Sequence, residues 1–150
     1  MPVTESLQDV LRTLTTTFGP RLEAVVLFGS RARGDAREDS DWDLLVLLHD
    51  LPFSPLQRTR LILENLPLNW RYNIHPLVLT PSEWFRRVPP IALDVALDGI
   101  VLYDAHGRVR RGLHTLREQI QRQGLARERT GEEWLWIWKE PQPAPTWSWG

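Results

Sequence analysis

Leu7, Val10, Leu11 and Leu14 recur at the i, i+3, i+4, i+7 spacing that lines one face of a helix, so residues 4 to 17 predict an amphipathic helix capped by Thr4 or Ser6. Gly19 and Pro20 end it. Two short apolar runs follow, LEAVVLFG at 22–29 and DWDLLVLL at 41–48, and both predict interior strands. Pro52 and Pro55 bracket a turn, after which Leu56, Leu61, Ile62, Leu63 and Leu66 predict a helix that stops at Pro67. WRYNIHPLVLT, residues 70–80, predicts a third strand. Pro76 cannot donate to a sheet ladder, which assigns that strand to an edge.

Farther on, Pro81 and a capping box from Thr80 to Glu83 predict a short helix. In PPIALDVALDGIVLYD, residues Ile91, Leu93, Val95, Ala96, Leu97 and Ile100 predict a buried helix, while IVLYD fits either its continuation or a small strand. Between Gly107 and Gly124, Val109, Leu113, Leu116 and Ile120 face inward and Arg110, Arg111, Arg117 and Arg122 outward, a surface helix with a solvated basic face. The composition then changes: five of the chain's eight tryptophans lie beyond residue 133. Trp134, Trp136 and Trp138 alternate with Leu135 and Ile137, which predicts a strand over 134–139 whose tryptophan face needs a cover. Stacked bases would provide one, but KEPQPAP carries little positive charge, so the domain itself or a partner protein is the better cover. Past Glu140 the prolines predict an extended, poorly packed tail. The expected organisation is one domain over 1–124 and a Trp/Pro-rich extension over 125–150.

Length and charge narrow the function. A chain of 150 residues suits one core, and 18 basic against 19 acidic side chains exert no overall pull toward nucleic acid or a membrane. Any anion site must therefore be local. The absence of cysteine excludes disulfides and thiolate metal sites. Residues 1–10 lack a basic region followed by an apolar one, and no apolar run approaches the ~20 residues that cross a bilayer, so a cytoplasmic protein is expected.

The local candidate is GSRARGDAREDSDWDLLV. Gly29 and Ser30 end one predicted strand, where a turning backbone presents free N–H groups and the Ser30 hydroxyl adds a donor for phosphate. Arg31, Arg33 and Arg37 follow at helical offsets, suited to forked bonds with a polyanion. Asp41 and Asp43, two apart at the start of a strand, project from one face while Trp42 points the other way. Like charges so placed persist best around a cation, and Mg2+ takes carboxylates together with substrate phosphates. The plainer alternative makes Asp39, Ser40 and Asp41 turn caps and pairs Asp43 with an arginine. The combination of glycine-serine, arginine-rich link and D-x-D points to phosphoryl or nucleotidyl transfer.

That stretch resembles the signature of the DNA polymerase beta nucleotidyltransferase superfamily, above all its minimal nucleotidyltransferases (MNT), with a weaker likeness over residues 5–104 that includes GIVLYD. The resemblance implies an α/β (α+β) fold, a small mixed sheet flanked by helices as in the polymerase beta palm. It implies that Gly29, Ser30, Arg31 and Arg33 hold an incoming NTP, expected to be ATP, and that Asp41 and Asp43 bind Mg2+ or Mn2+. It further implies transfer of a nucleoside monophosphate to a hydroxyl of a protein or small molecule, and a HEPN-type helical partner in a toxin-antitoxin pair. No membrane or nucleic-acid partner is expected.

One feature departs from that pattern. The third carboxylate of active members aligns here with Asn73, which binds metal weakly and takes no proton. His75, two residues on, is open to a role as ligand, base or structural residue; Glu64 and Asp94 are carboxylates without an assigned place. Two rival readings follow: a fold retained as a binding module that neutralises its partner by contact, and transfer to an aminoglycoside-like antibiotic, which the lack of a second enclosing domain disfavours.

Overall fold

The computed structural model describes residues 7–140 and 145–150. Its centre is a four-stranded mixed sheet of β1 (Leu22–Phe28), β2 (Trp42–Leu48), β3 (Ile74–Leu79) and β4 (Ile100–Asp104), in the order β3-β2-β1-β4. β1 runs antiparallel to β2 and β4, and β3 runs parallel to β2. The two apolar runs are the interior strands, as their composition requires, and Pro76 lies on the β3 edge.

Alternation along these strands creates two cores. Val25, Leu27, Leu44 and Val46 pack with Ile74 and Val78 against α1 (Gln8–Phe18) and α3 (Pro55–Asn65). Ala24, Val26, Leu45 and Leu47 point the other way, toward α4 (Pro81–Arg86), α5 (Ile91–Asp98) and α6 (Arg108–Gln123). The capping box of α4 is present, with Thr80 Oγ1 accepting from Glu83 N–H and Glu83 Oε1 accepting from Thr80 N–H. The two proposed caps of α1, Thr4 and Ser6, lie outside the described residues.

IVLYD is a strand. The chain leaves α5 at Gly99, whose missing Cβ lets the backbone close on the Val95 carbonyl, and Ile100 then pairs with Leu27 on β1. Among the described residues no helix is long and apolar enough to cross a membrane.

The tryptophan-rich end forms a hairpin of β5 (Leu125–Thr130) and β6 (Glu133–Trp138), turned at Gly131 and Glu132. β5 escapes a sequence reading because LARERT is polar. Its Leu125, Arg127 and Arg129 stand opposite Trp138, Trp136 and Trp134, so arginines, with the domain behind them, cover the tryptophan face. The expected poorly packed tail is corrected for residues 145–150. Trp147 stacks on Trp138 at 6.4 Å, and Trp149 reaches Trp84 at 5.1 Å and donates its indole N–H to the Trp84 carbonyl at 3.0 Å. Gly112 of α6 leaves the room for that partly buried indole.

Candidate functional site

The carboxyl end of β1 and the amino ends of β2, β3 and β4 meet at one end of the sheet, where Phe28 pairs with Asp43, Asp43 with His75 and Leu27 with Ile100. Gly29 leaves β1 there with φ 74°, and α2 (Ser30–Arg33) begins at once. A Cβ on Gly29 would collide with Asp43 Oδ2. Only glycine lets backbone and carboxylate share this space. Asp43 is partly exposed. Its Oδ1 lies 3.1 Å from His75 Nδ1, and among the described residues Oδ2 has no hydrogen-bond partner. Asp41, exposed and just ahead of β2, falls by alternation on the Asp43 side, and Trp42 packs on the other core against Trp70.

Asn73 lies one residue ahead of β3. It closes the turn ahead of β3, where its amide nitrogen donates to the Asn69 carbonyl and its own carbonyl accepts from Trp42 N–H at 2.8 Å. The strand starts at Ile74, later than the 70–80 expected, and its pairing of His75 with Asp43 brings that ring to the site. Glu64 lies on α3, and Asp94 on α5 is bound to Arg127.

The arginines divide. Arg31 donates to the carbonyls of Glu38 and Ser40 and lies 4.6 Å over the Trp42 ring, so it clamps the loop before β2. Arg33 bonds Asp35 at 3.3 Å and approaches Asp98 at 3.6 Å. With Ser30 it lines a cleft of about 190 Å3 that Arg37 and Arg129 also border.

The hairpin is the part of this site that motif reading missed. Arg127, nearly buried, binds Asp94 at 2.9 Å and Asp98 at 2.5 Å, and Trp134 donates its indole N–H to Asp35. Its hydrogen bond to Asp98, then that to Asp94, raises the Arg127 pKa against the opposing effect of burial. Burial pushes the Asp35 carboxyl up, but the Trp134 N–H and the Arg33 and Arg129 guanidiniums outweigh it and hold the group below its ordinary value. The available signal was the alternation of Leu125, Arg127 and Arg129 ahead of a Thr-Gly pair.

Among the described residues no three His, Cys, Asp or Glu side chains form a self-sufficient metal site. Asp41 and Asp43 do fit an ion that arrives with a nucleotide, since Mg2+ takes one or two carboxylates and completes its shell with phosphates and water.

The family model for polymerase beta nucleotidyltransferases matches residues 8–77. MJ1305 of Methanocaldococcus jannaschii, named provisionally as a protein adenylyltransferase, is 32% identical over 103 residues, 65% of this chain and 69% of the relative. The chain belongs to the polymerase beta nucleotidyltransferase family. A second relative in that archaeon, MJ0141, named in the same provisional way, is 32% identical over 79 residues, 52% of this chain and 80% of the relative. A chain from the crystal structure of a toxin-antitoxin with AMP-PNP has the same fold, with TM-score 0.50 and 18% identity over 77% of this chain and 90% of that one. The β5–β6 hairpin lies beyond the segment that the family model matches.

Proposed function

We propose that this nucleotidyltransferase moves an adenylyl group from ATP to a hydroxyl of a protein, and that its partner is a HEPN-type helical protein. The observation that carries the reading is the contact of the Gly29 backbone with Asp43, whose Oδ2 stays open beside Ser30. Both relatives bear a protein adenylyltransferase name, and the shared fold of a toxin-antitoxin chain supports the partner.

In this reading Asp41 and Asp43 hold Mg2+, and Gly29, Ser30 and Arg33 receive the triphosphate. The ion neutralises phosphate charge and polarises the phosphorus under attack. The acceptor oxygen bonds to the α-phosphorus, the bond to the β-phosphate bridge breaks, and pyrophosphate leaves. His75, with Nδ1 toward Asp43 and most of its side chain exposed, offers its other ring nitrogen to the acceptor's proton.

The test is calorimetric titration of ATP with Mg2+ into the wild type and the Asp41→Asn, Asp43→Asn double variant, followed by transfer from labelled ATP to a co-purified partner. Metal-dependent binding that the variant loses supports the reading; equal binding in both sinks it. The turned-away Asn73 favours a second reading, a module that neutralises its partner by contact. In that case the double variant still inhibits the partner.

A further inference from the structure

Arg129 comes from β5, yet it borders the same cleft as Ser30 and Arg33. Its position is prepared before any ligand arrives: Nε donates to the Gly131 carbonyl at 3.0 Å and the guanidinium lies 5.8 Å from the Trp134 ring centre. Its Nη1 stands 3.7 Å from Asp35, too far for a hydrogen bond. Across the cleft, among the described residues, the Arg37 guanidinium pairs with Glu132 at the hairpin turn, while its backbone N–H donates to Ser40 Oγ and its carbonyl accepts from Ser40 N–H. Both members of that pair are about three-quarters exposed, at 70% and 76%, so water competes with it and an anion of higher charge displaces it. Asp35 offsets part of this charge through Arg33 and Arg129, yet the cleft's lining still sets three guanidiniums against two carboxylates.

We propose that the hairpin completes the nucleotide site: Arg129 and Arg37 bind the terminal phosphates of the incoming triphosphate, and Glu132 is the counter-ion that those phosphates displace from Arg37. Resting on the nucleotidyltransferase reading above, the inference gives the tryptophan-rich end a task there. The tryptophans fix the hairpin so that an arginine far along the chain faces Ser30.

ATP and AMP, each with Mg2+, distinguish the outcomes when titrated calorimetrically into wild type, Arg129→Gln and Glu132→Gln. Loss of one charged phosphate contact weakens ATP binding by about tenfold or more in Arg129→Gln and leaves AMP binding unchanged. Glu132→Gln frees Arg37 and tightens ATP binding by roughly 2- to 5-fold. Glu132 has no packing role, so this variant tests the idea even where Arg129→Gln disturbs the hairpin. Wild-type ATP affinity in both variants, or equal loss of ATP and AMP in Arg129→Gln with no gain in Glu132→Gln, overturns the inference. If wild type binds ATP through Asp41 and Asp43 while these variants match it, only this inference fails. If wild type binds no ATP, both fail.

Discussion

Glu23 and Asp43 are carboxylates of the same sheet, each beside histidine, at opposite ends of the strands. Glu23 sits at the start of β1 with a side chain only 3% exposed, and its two oxygens face His49 at 3.3 Å and His106 at 2.8 Å. Asp43 gives one oxygen to His75 and keeps the other open against the Gly29 backbone. The first is saturated, the second is not. A buried carboxylate with both oxygens hydrogen-bonded ties elements together, and here it joins β1 to the segments that follow β2 and β4. One left with an open oxygen next to a backbone turn is available for coordination. The same contrast recurs between Asp98, held by Arg127, and exposed Asp41.

The strongest challenge to this division is the Asp41→Asn, Asp43→Asn double variant. It should lower nucleotidyl transfer by about 10³-fold, several kcal/mol of transition-state stabilisation, and leave the melting temperature nearly unchanged. A large loss of stability would move Asp43 to the structural side. Arg127→Leu tests the opposite side. It leaves buried Asp98 without its hydrogen-bond partner, with only Arg33 at 3.6 Å, and should cost about 3 kcal/mol, lowering the melting temperature by roughly 10 °C, measured by circular dichroism.

Gly29→Ala lies between the two. The positive φ and the collision with Asp43 should cost about 2 kcal/mol, and the displaced carboxylate should also lose metal-dependent ATP binding in calorimetry. Intact binding would show that the close approach is not needed.

The smallest effect is expected at Glu23. Burial pushes its carboxyl up, but hydrogen bonds from His106 and His49 more than offset this, leaving the folded value below the ordinary value of 4.5. A carboxylate so shifted stabilises the fold above its unfolded pKa, and that stabilisation disappears as pH falls through the lowered folded value. Glu23→Gln should therefore cost about 1 kcal/mol at pH 7, a fall in melting temperature of about 2–4 °C. The gap from wild type should close as melts are repeated below pH 4.5. A constant gap would mean that shape, not charge, matters at this position.

Local pattern by itself determined a good part of this protein. The apolar runs ending at Gly29 and starting at Asp41 are β1 and β2, Thr80 and Glu83 cap α4, and Pro76 lies on an edge. Each follows from near neighbours in the chain: burial on both strand faces, a hydroxyl three residues from a carboxylate, a missing N–H. The glycine-serine and D-x-D pairs were visible for the same reason, since each is a short motif on one element.

Tertiary structure decided what depends on pairing between distant segments. IVLYD became a strand because β1 had an unpaired edge to receive it, an outcome that its composition left open. β3 begins at Ile74 and pairs His75 with Asp43, while Asn73, ahead of the strand, gives its side-chain amide to the Asn69 carbonyl, a pairing that local pattern left open. LARERT became β5 because Trp134 and Trp136 offered rings to its arginines and Asp94 and Asp98 offered charge. Those partners lie up to 33 residues from Arg127, beyond the reach of any local rule, and only the folded chain brings Arg129 to Ser30.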